Sequence, residues 1–104
     1  MDTPPLSAEV EKRVELLFHE TERGLVQSLL IAECGNNLPG LDGLSFEAMD
    51  RFRLAVLKLS EGELSKLDKA LWLAKTDWRD LLMVAGFGET LTAHESWMPR
   101  KVHG

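Results

Sequence analysis

TDWRDLLMVAGFGE, residues 76–89, is a helix with its start and its stop written into it. Asp77 or Thr76 stands where an N-cap accepts a backbone N–H, and Asp80 follows Asp77 by three. Both place negative charge beside the unpaired N–H groups of a first turn. Trp78, at the first helical position, is set to pack back on the preceding helix. Leu81, Leu82, Val84 and Ala85 make the core face, and Gly86 is the C-terminal stop. GFG at residues 86–88 is thereby a helix end, not a phosphate cradle. Arg79 is left to pair with Asp80 or with an acid elsewhere. Trp78 and Arg79 have a second use as binding anchors, since Trp and Arg are enriched in interface hot spots.

The same punctuation recurs outward from this stretch. Ser60 and Glu63 have the S-x-x-E spacing of a capping box, so a helix is expected to begin at Ser60. Its inner stripe is Leu64, Leu67, Leu71 and Ala74, with Lys66, Lys69 and Lys75 outside. Before it, Ser45, Glu47 and Asp50 mark the start of another helix. There Phe46, Met49, Phe52, Val56 and Leu59 follow heptad-like spacing. These two helices meet almost without a loop, which implies a sharp corner or an antiparallel pair. NNLPGLDGL, residues 36–44, is the one real loop, rich in turn formers, and Leu38, Leu41 and Leu44 are expected to tuck against the bundle.

GLVQSLLIAECG, residues 24–35, is apolar nearly all round, with Gln27, Ser28 and Glu33 as exceptions. Such a helix must be buried on most sides. It is expected at the centre of the bundle, or under a second subunit, with Gly35 stopping it. The first helix follows Pro4-Pro5. Ser7 is its N-cap, Glu9 and Glu11 lie in its first turn, and Val10, Val14, Leu17 and Phe18 form its buried stripe. Gly24 ends or bends it. At the other end of the chain, Thr92 and Glu95 open a further capping box. One or two turns follow over residues 93–98, stopped by Pro99.

Ile and Val are few, Leu is abundant, Tyr is absent, and alternation over a strand length never appears. The fold expected is all-α: a compact orthogonal or antiparallel bundle of about five short helices, with no sheet. Its 104 residues form a single all-helical domain, with 1–6 and 100–104 as flexible tails.

Composition narrows the function classes. No apolar run approaches the roughly 20 residues that cross a membrane. MDTPPLSAEVEK lacks the basic start and apolar stretch of a secretory signal. A single cysteine, Cys34, forms no internal disulfide. A cytoplasmic location is expected from these features. The net charge is −5, and residues 1–35 alone hold seven acids against three bases. An acidic chain repels phosphate backbones unless its bases gather on one face, so nucleic acid is not expected as a partner. The corner ahead of residues 61–75 has the outline of a helix-turn-helix. The leading end of that second helix is acidic, where base contacts would fall.

Three constellations bear on chemistry. Glu15, His19 and Glu22 fall at i, i+4 and i+7, one face of an unbroken helix and a spacing able to hold a divalent metal. The Glu-x-x-His spacing of di-iron bundles is absent, and no second ligand set occurs elsewhere, so a solvated face is the reading preferred. Cys34 lies at a helix C-terminus, the wrong end for activating a thiolate, and reads as a small buried hydrophobe rather than as half of a Cys34–His19 nucleophilic pair. His94 and Trp97 are i, i+3 neighbours in local contact. No zinc cysteine pairs and no nucleophile elbow occur. Neither a cofactor nor a metal is expected, and catalysis is not.

The function expected is a non-catalytic protein–protein interaction or regulatory module. Its partner is another protein or a second copy of itself as a homodimer, since apolar helix surface is in excess for so short a chain. Leu29, Leu30, Trp78, Arg79, Trp97 and Met98 are the candidate interface. One rival reading is an acidic, immunity-type inhibitor that masks a basic partner through the acids of the first helix. Another is a small metal- or thiol-dependent enzyme.

Overall fold

The computed structural model describes residues 6–34, 46–88 and 93–99. Among these, five α-helices and one 3-10 turn form an all-α bundle without a strand. The helices are α1 (Ala8–Leu17), α2 (Glu20–Glu33), α3 (Phe46–Ser60), α4 (Leu64–Thr76) and α5 (Trp78–Ala85), and the 3-10 turn is Ala93–Ser96. Several expectations fall outside the described residues: the loop leucines 38, 41 and 44, the stop at Gly35, the cap at Ser45, the Thr92 half of a capping box, and the tails 1–5 and 100–104. Leu6, placed in the expected N-terminal tail, is buried against the core.

The first helix starts as expected. Ser7 accepts the Val10 N–H at 3.2 Å, and Val10, Val14, Leu17 and Phe18 are all buried. It ends at Leu17, seven residues before Gly24, however. Phe18 turns extended with its ring fully buried, and His19 caps a new helix, its Nδ1 accepting from the Thr21 N–H at 3.2 Å. Arg23 secures the corner. Its guanidinium donates to the Phe18 carbonyl at 3.1 Å and the Glu15 carbonyl at 3.0 Å, orphan acceptors at the end of α1. Gly24 therefore sits inside α2, where a Cβ would meet nothing within 4 Å.

α2 is not the central helix. Val26 and Leu30 are buried, while Leu29 and Ile31 are half-buried and Leu25 is 53% exposed. The centre belongs to α3, which packs on α1, α4, α5 and the 3-10 turn. Residues 52–57 are buried without a break. Arg53 lies among them, fully buried, its Nε donating to the Cys34 carbonyl at 2.9 Å. A charged residue in the middle of the α3 sequence disguised the helix that is enclosed all round. The apolar look of α2 belonged to a helix with one open side.

The α3–α4 corner is tight, but its cap differs from the S-x-x-E reading. α3 runs through Ser60, whose Oγ donates back to the Leu57 carbonyl at 2.6 Å and accepts from Gly62 N–H at 3.3 Å. Glu61 and Gly62 take φ of 51° and 81°, and α4 begins at Leu64 after Glu63, which makes no side-chain cap. The residue that would have opened α4 instead closes α3.

The stretch 76–88 matches its sequence closely. Asp77 Oδ1 accepts from the N–H groups of Arg79 at 3.1 Å and Asp80 at 3.2 Å. Gly86 takes φ +80°, its N–H meets the Met83 carbonyl at 3.1 Å, and the Phe87 N–H meets Leu82 at 2.8 Å. This is a Schellman ending, with Phe87 and Leu82 both buried. Trp78 packs edge-on against Phe52 of α3, ring centroids 5.5 Å apart. Val84 departs from the expected core face: only Leu81, Leu82 and Ala85 are buried, and Val84 points to solvent.

The two glycines thus have opposite roles. Gly24→Ala is expected to stabilise the fold by roughly 0.5–1 kcal/mol, because a helical glycine with free space loses more chain entropy than alanine. Gly86→Ala is expected to destabilise it by about 1 kcal/mol, because an L side chain is strained at that φ. Urea unfolding followed by circular dichroism measures both signs.

Candidate functional site

The beginnings of α1 and α3 and the 3-10 turn enclose a cleft of about 340 Å³ lined by Glu9, Arg13, Asp50, Leu54, His94 and Glu95. Its position follows from local structure. Arg13 sits one turn inside α1 on the buried side, and Asp50 occupies the second turn of α3. His94 is carried into the wall by the 3-10 turn, next to Phe87 at 6.2 Å between ring centroids. Arg13 holds this assembly together. Its Nε and Nη2 donate to the Trp97 carbonyl at 3.3 and 2.9 Å, and its Nη1 donates to the Glu9 carbonyl at 3.0 Å. The segment after the turn is thereby tied to the first helix, 84 residues earlier.

Two polar atoms in this wall lack a hydrogen-bond partner among the described residues: Asp50 Oδ1 and His94 Nδ1. Buried polar atoms are normally satisfied, so an unpaired two on one cleft marks the place in the molecule where a ligand or water is wanted. The charges agree. Burial pushes the Asp50 carboxyl above its usual range, against the lowering effects of a Ser7 hydrogen bond and the Arg53 charge. Burial holds the His94 imidazole below its usual range, opposed by Glu95 and Asp50. Each group is therefore kept closer to neutral than it would be in water.

The sequence named both residues without joining them. Asp50 read as a helix-start acid and His94 as a neighbour of Trp97; the structure sets both His94 and Trp97 against Phe87. Arg13 drew no notice, because a single arginine on an acidic helix looks like surface. Its place in the Val10–Val14–Leu17 stripe, three after Val10, was the available signal.

The expected interface residues scatter. Leu30 is fully buried in the chain's own core, and Leu29 is half-buried against it. Trp97 packs on Phe87 with centroids 6.3 Å apart, while Met98 is exposed. Trp78 is held by Phe52, and the Arg79 guanidinium lies over its indole at 5.2 Å, on the outside of α5. Beside Arg79 the α5 surface carries Asp80, Met83 and Val84, with Met83 72% and Val84 60% exposed. Trp72 on α4, 64% exposed, is an apolar group that sequence reading passed over. It follows Leu71 and so falls off the 64–67–71–74 stripe, which was the sign that it faces out.

The metal face is taken apart by the chain. The break at Phe18–His19 separates Glu15 on α1 from Glu22 on α2, so the three residues no longer share one helix. Among the described residues no group of three or more His, Cys, Asp and Glu is gathered to hold a metal ion. Cys34 and His19 lie at opposite ends of α2, on the order of 20 Å apart at 1.5 Å per residue. Burial pushes the Cys34 thiol up to about 12, despite the nearby Arg53 charge. No helix among the described residues is long and apolar enough to cross a membrane. No protein-family model, curated protein or solved structure matches this chain.

Two outcomes follow from these environments. Cys34 is expected to resist a thiol reagent at pH 8 in the folded protein and to react fully in urea, read by colour yield. Asp50→Asn is expected to stabilise the protein modestly at pH 7, because burial disfavours the charged carboxylate. The sign follows from linkage: a carboxyl whose folded pKa is raised favours the fold while protonated, and that contribution disappears as pH rises through the folded value. The advantage of Asn should therefore shrink in acid, in urea titrations across pH.

Proposed function

We propose that the protein is a non-catalytic interaction module that pairs with a second copy of itself through the outer face of α5. The observation that carries this reading is the composition of that face: Met83 and Val84, both largely exposed, flanked one turn earlier by Arg79 and Asp80. A patch bearing one cation and one anion beside an apolar pair is self-complementary about a two-fold axis, the commonest symmetry of soluble assemblies. Trp78, gripped between Phe52 and Arg79, supplies a rigid aromatic at the edge of this face. Exposed Trp72 and Met98 add apolar surface that a folded monomer leaves in water.

A second reading, recognition of a basic partner, draws on α1. Glu11 and Glu15 are exposed there and make no ion pair among the described residues. It differs in its salt dependence and in the helix it uses.

Mass in solution by light scattering across about a hundredfold dilution tests the first reading. A dimer that dissociates on dilution is expected, and Met83→Glu should raise its dissociation constant by at least about tenfold with helix content unchanged. A monomer at every concentration sinks self-association. A dimer indifferent to Met83→Glu and Val84→Glu moves the interface away from α5.

A further inference from the structure

We propose that the cleft between α1, α3 and the 3-10 turn is a binding site for a small organic ammonium ion. The first reason is the pair of unsatisfied atoms. Asp50 Oδ1 and His94 Nδ1 are buried, unpartnered among the described residues, and belong to side chains that line the same cleft. His94 is only 6% exposed, so solvent around the protein does little for its ring. A neutral imidazole with its proton on Nε2 and a carboxylate oxygen are both acceptors, and they call for a donor.

The second reason is charge. Three carboxylates, Glu9, Asp50 and Glu95, face one guanidinium, Arg13, across this space. Arg13 already has all three of its nitrogens engaged with the Trp97 and Glu9 carbonyls, so it serves as a strut more than as an anion receptor. The balance favours a cation. A metal ion is a poor match, because these acids and His94 are not gathered into a coordinating group. An ammonium needs only two or three acceptors on one side and tolerates an apolar stem on the other. Leu54 supplies that apolar wall. The volume, near the lower end of small-molecule pockets, suits a short aliphatic chain. The raised Asp50 carboxyl points the same way: a bound cation would restore the charge that burial discourages.

None of these residues lies on α5, so this site and the self-association surface fail or succeed separately. The test is calorimetric titration of the full chain with n-butylammonium, with n-butanol and butyrate as probes of stem and charge. Saturable binding of butylammonium is expected, with a dissociation constant of about 1 mM or tighter, and weaker binding of butanol and butyrate. Asp50→Asn should weaken it by at least about tenfold, and Met83→Glu should leave it unchanged. As an independent check, Glu95→Gln and Glu9→Gln, both on exposed side chains, should each weaken binding severalfold. Absence of saturable binding, equal binding of butanol, or ammonium binding indifferent to the Asp50 and Glu95 variants would each overturn the proposal.

Discussion

The structure depends on the enclosure of α3, and above all on the guanidinium buried within it. Arg53 has no water to turn to, and removing a charge from water is costly unless hydrogen bonds replace it. One of those bonds goes to the Cys34 carbonyl, at the end of α2. The central helix thus satisfies an orphan acceptor of its neighbour, and the neighbour stabilises the central charge. α1, α4 and α5 then close over the rest of α3 with Val14, Leu67, Leu71, Leu81 and Leu82. Every other surface in the molecule is what remains once that helix is covered.

Arginines play a similar part at three other places. Arg23 collects the last carbonyls of α1 where the chain turns into α2. Arg13 fastens the segment around Trp97 to the start of the fold. Arg51 donates to the Phe87 carbonyl at 2.6 Å, just beyond the end of α5. A guanidinium can reach two carbonyls at once and keeps its charge when partly desolvated, which lysine does less well. Lys66 and Lys75 remain outside: Lys66 pairs with Glu61 and Glu63, and Lys75 with Glu33, all exposed pairs of small energetic weight.

The cleft departs from this pattern. At the ends of α1 and α2, carbonyls find an arginine. Around Asp50 and His94, the buried Asp50 Oδ1 and His94 Nδ1 lack a partner among the described residues, and both groups are pushed toward their neutral forms. Stability and polar satisfaction part company there, a pattern associated with sites rather than with scaffolding. The outer face of α5 is a milder case, since exposed Met83 and Val84 cost little in the monomer but are surplus to it.

Local rules were legible in the residues themselves. The Ser7 and Asp77 caps, the Gly86 ending, the α1 stripe and the all-helical class all rest on contacts within a few positions, where spacing decides geometry. The sequence left open which helix would be central and which polar residues would meet. Gly24 looked like the break, yet the break came at Phe18–His19, because burying the Phe18 ring and seating Arg23 on the α1 carbonyls outweighed a glycine's preference. Arg53 carries no local signal of burial and lies at the centre, because its partner is a carbonyl 19 residues away. Asp50 and His94 become one site only when α3 and the 3-10 turn are brought together. Contacts between distant segments carry no periodicity, so the cleft exists only in the folded chain.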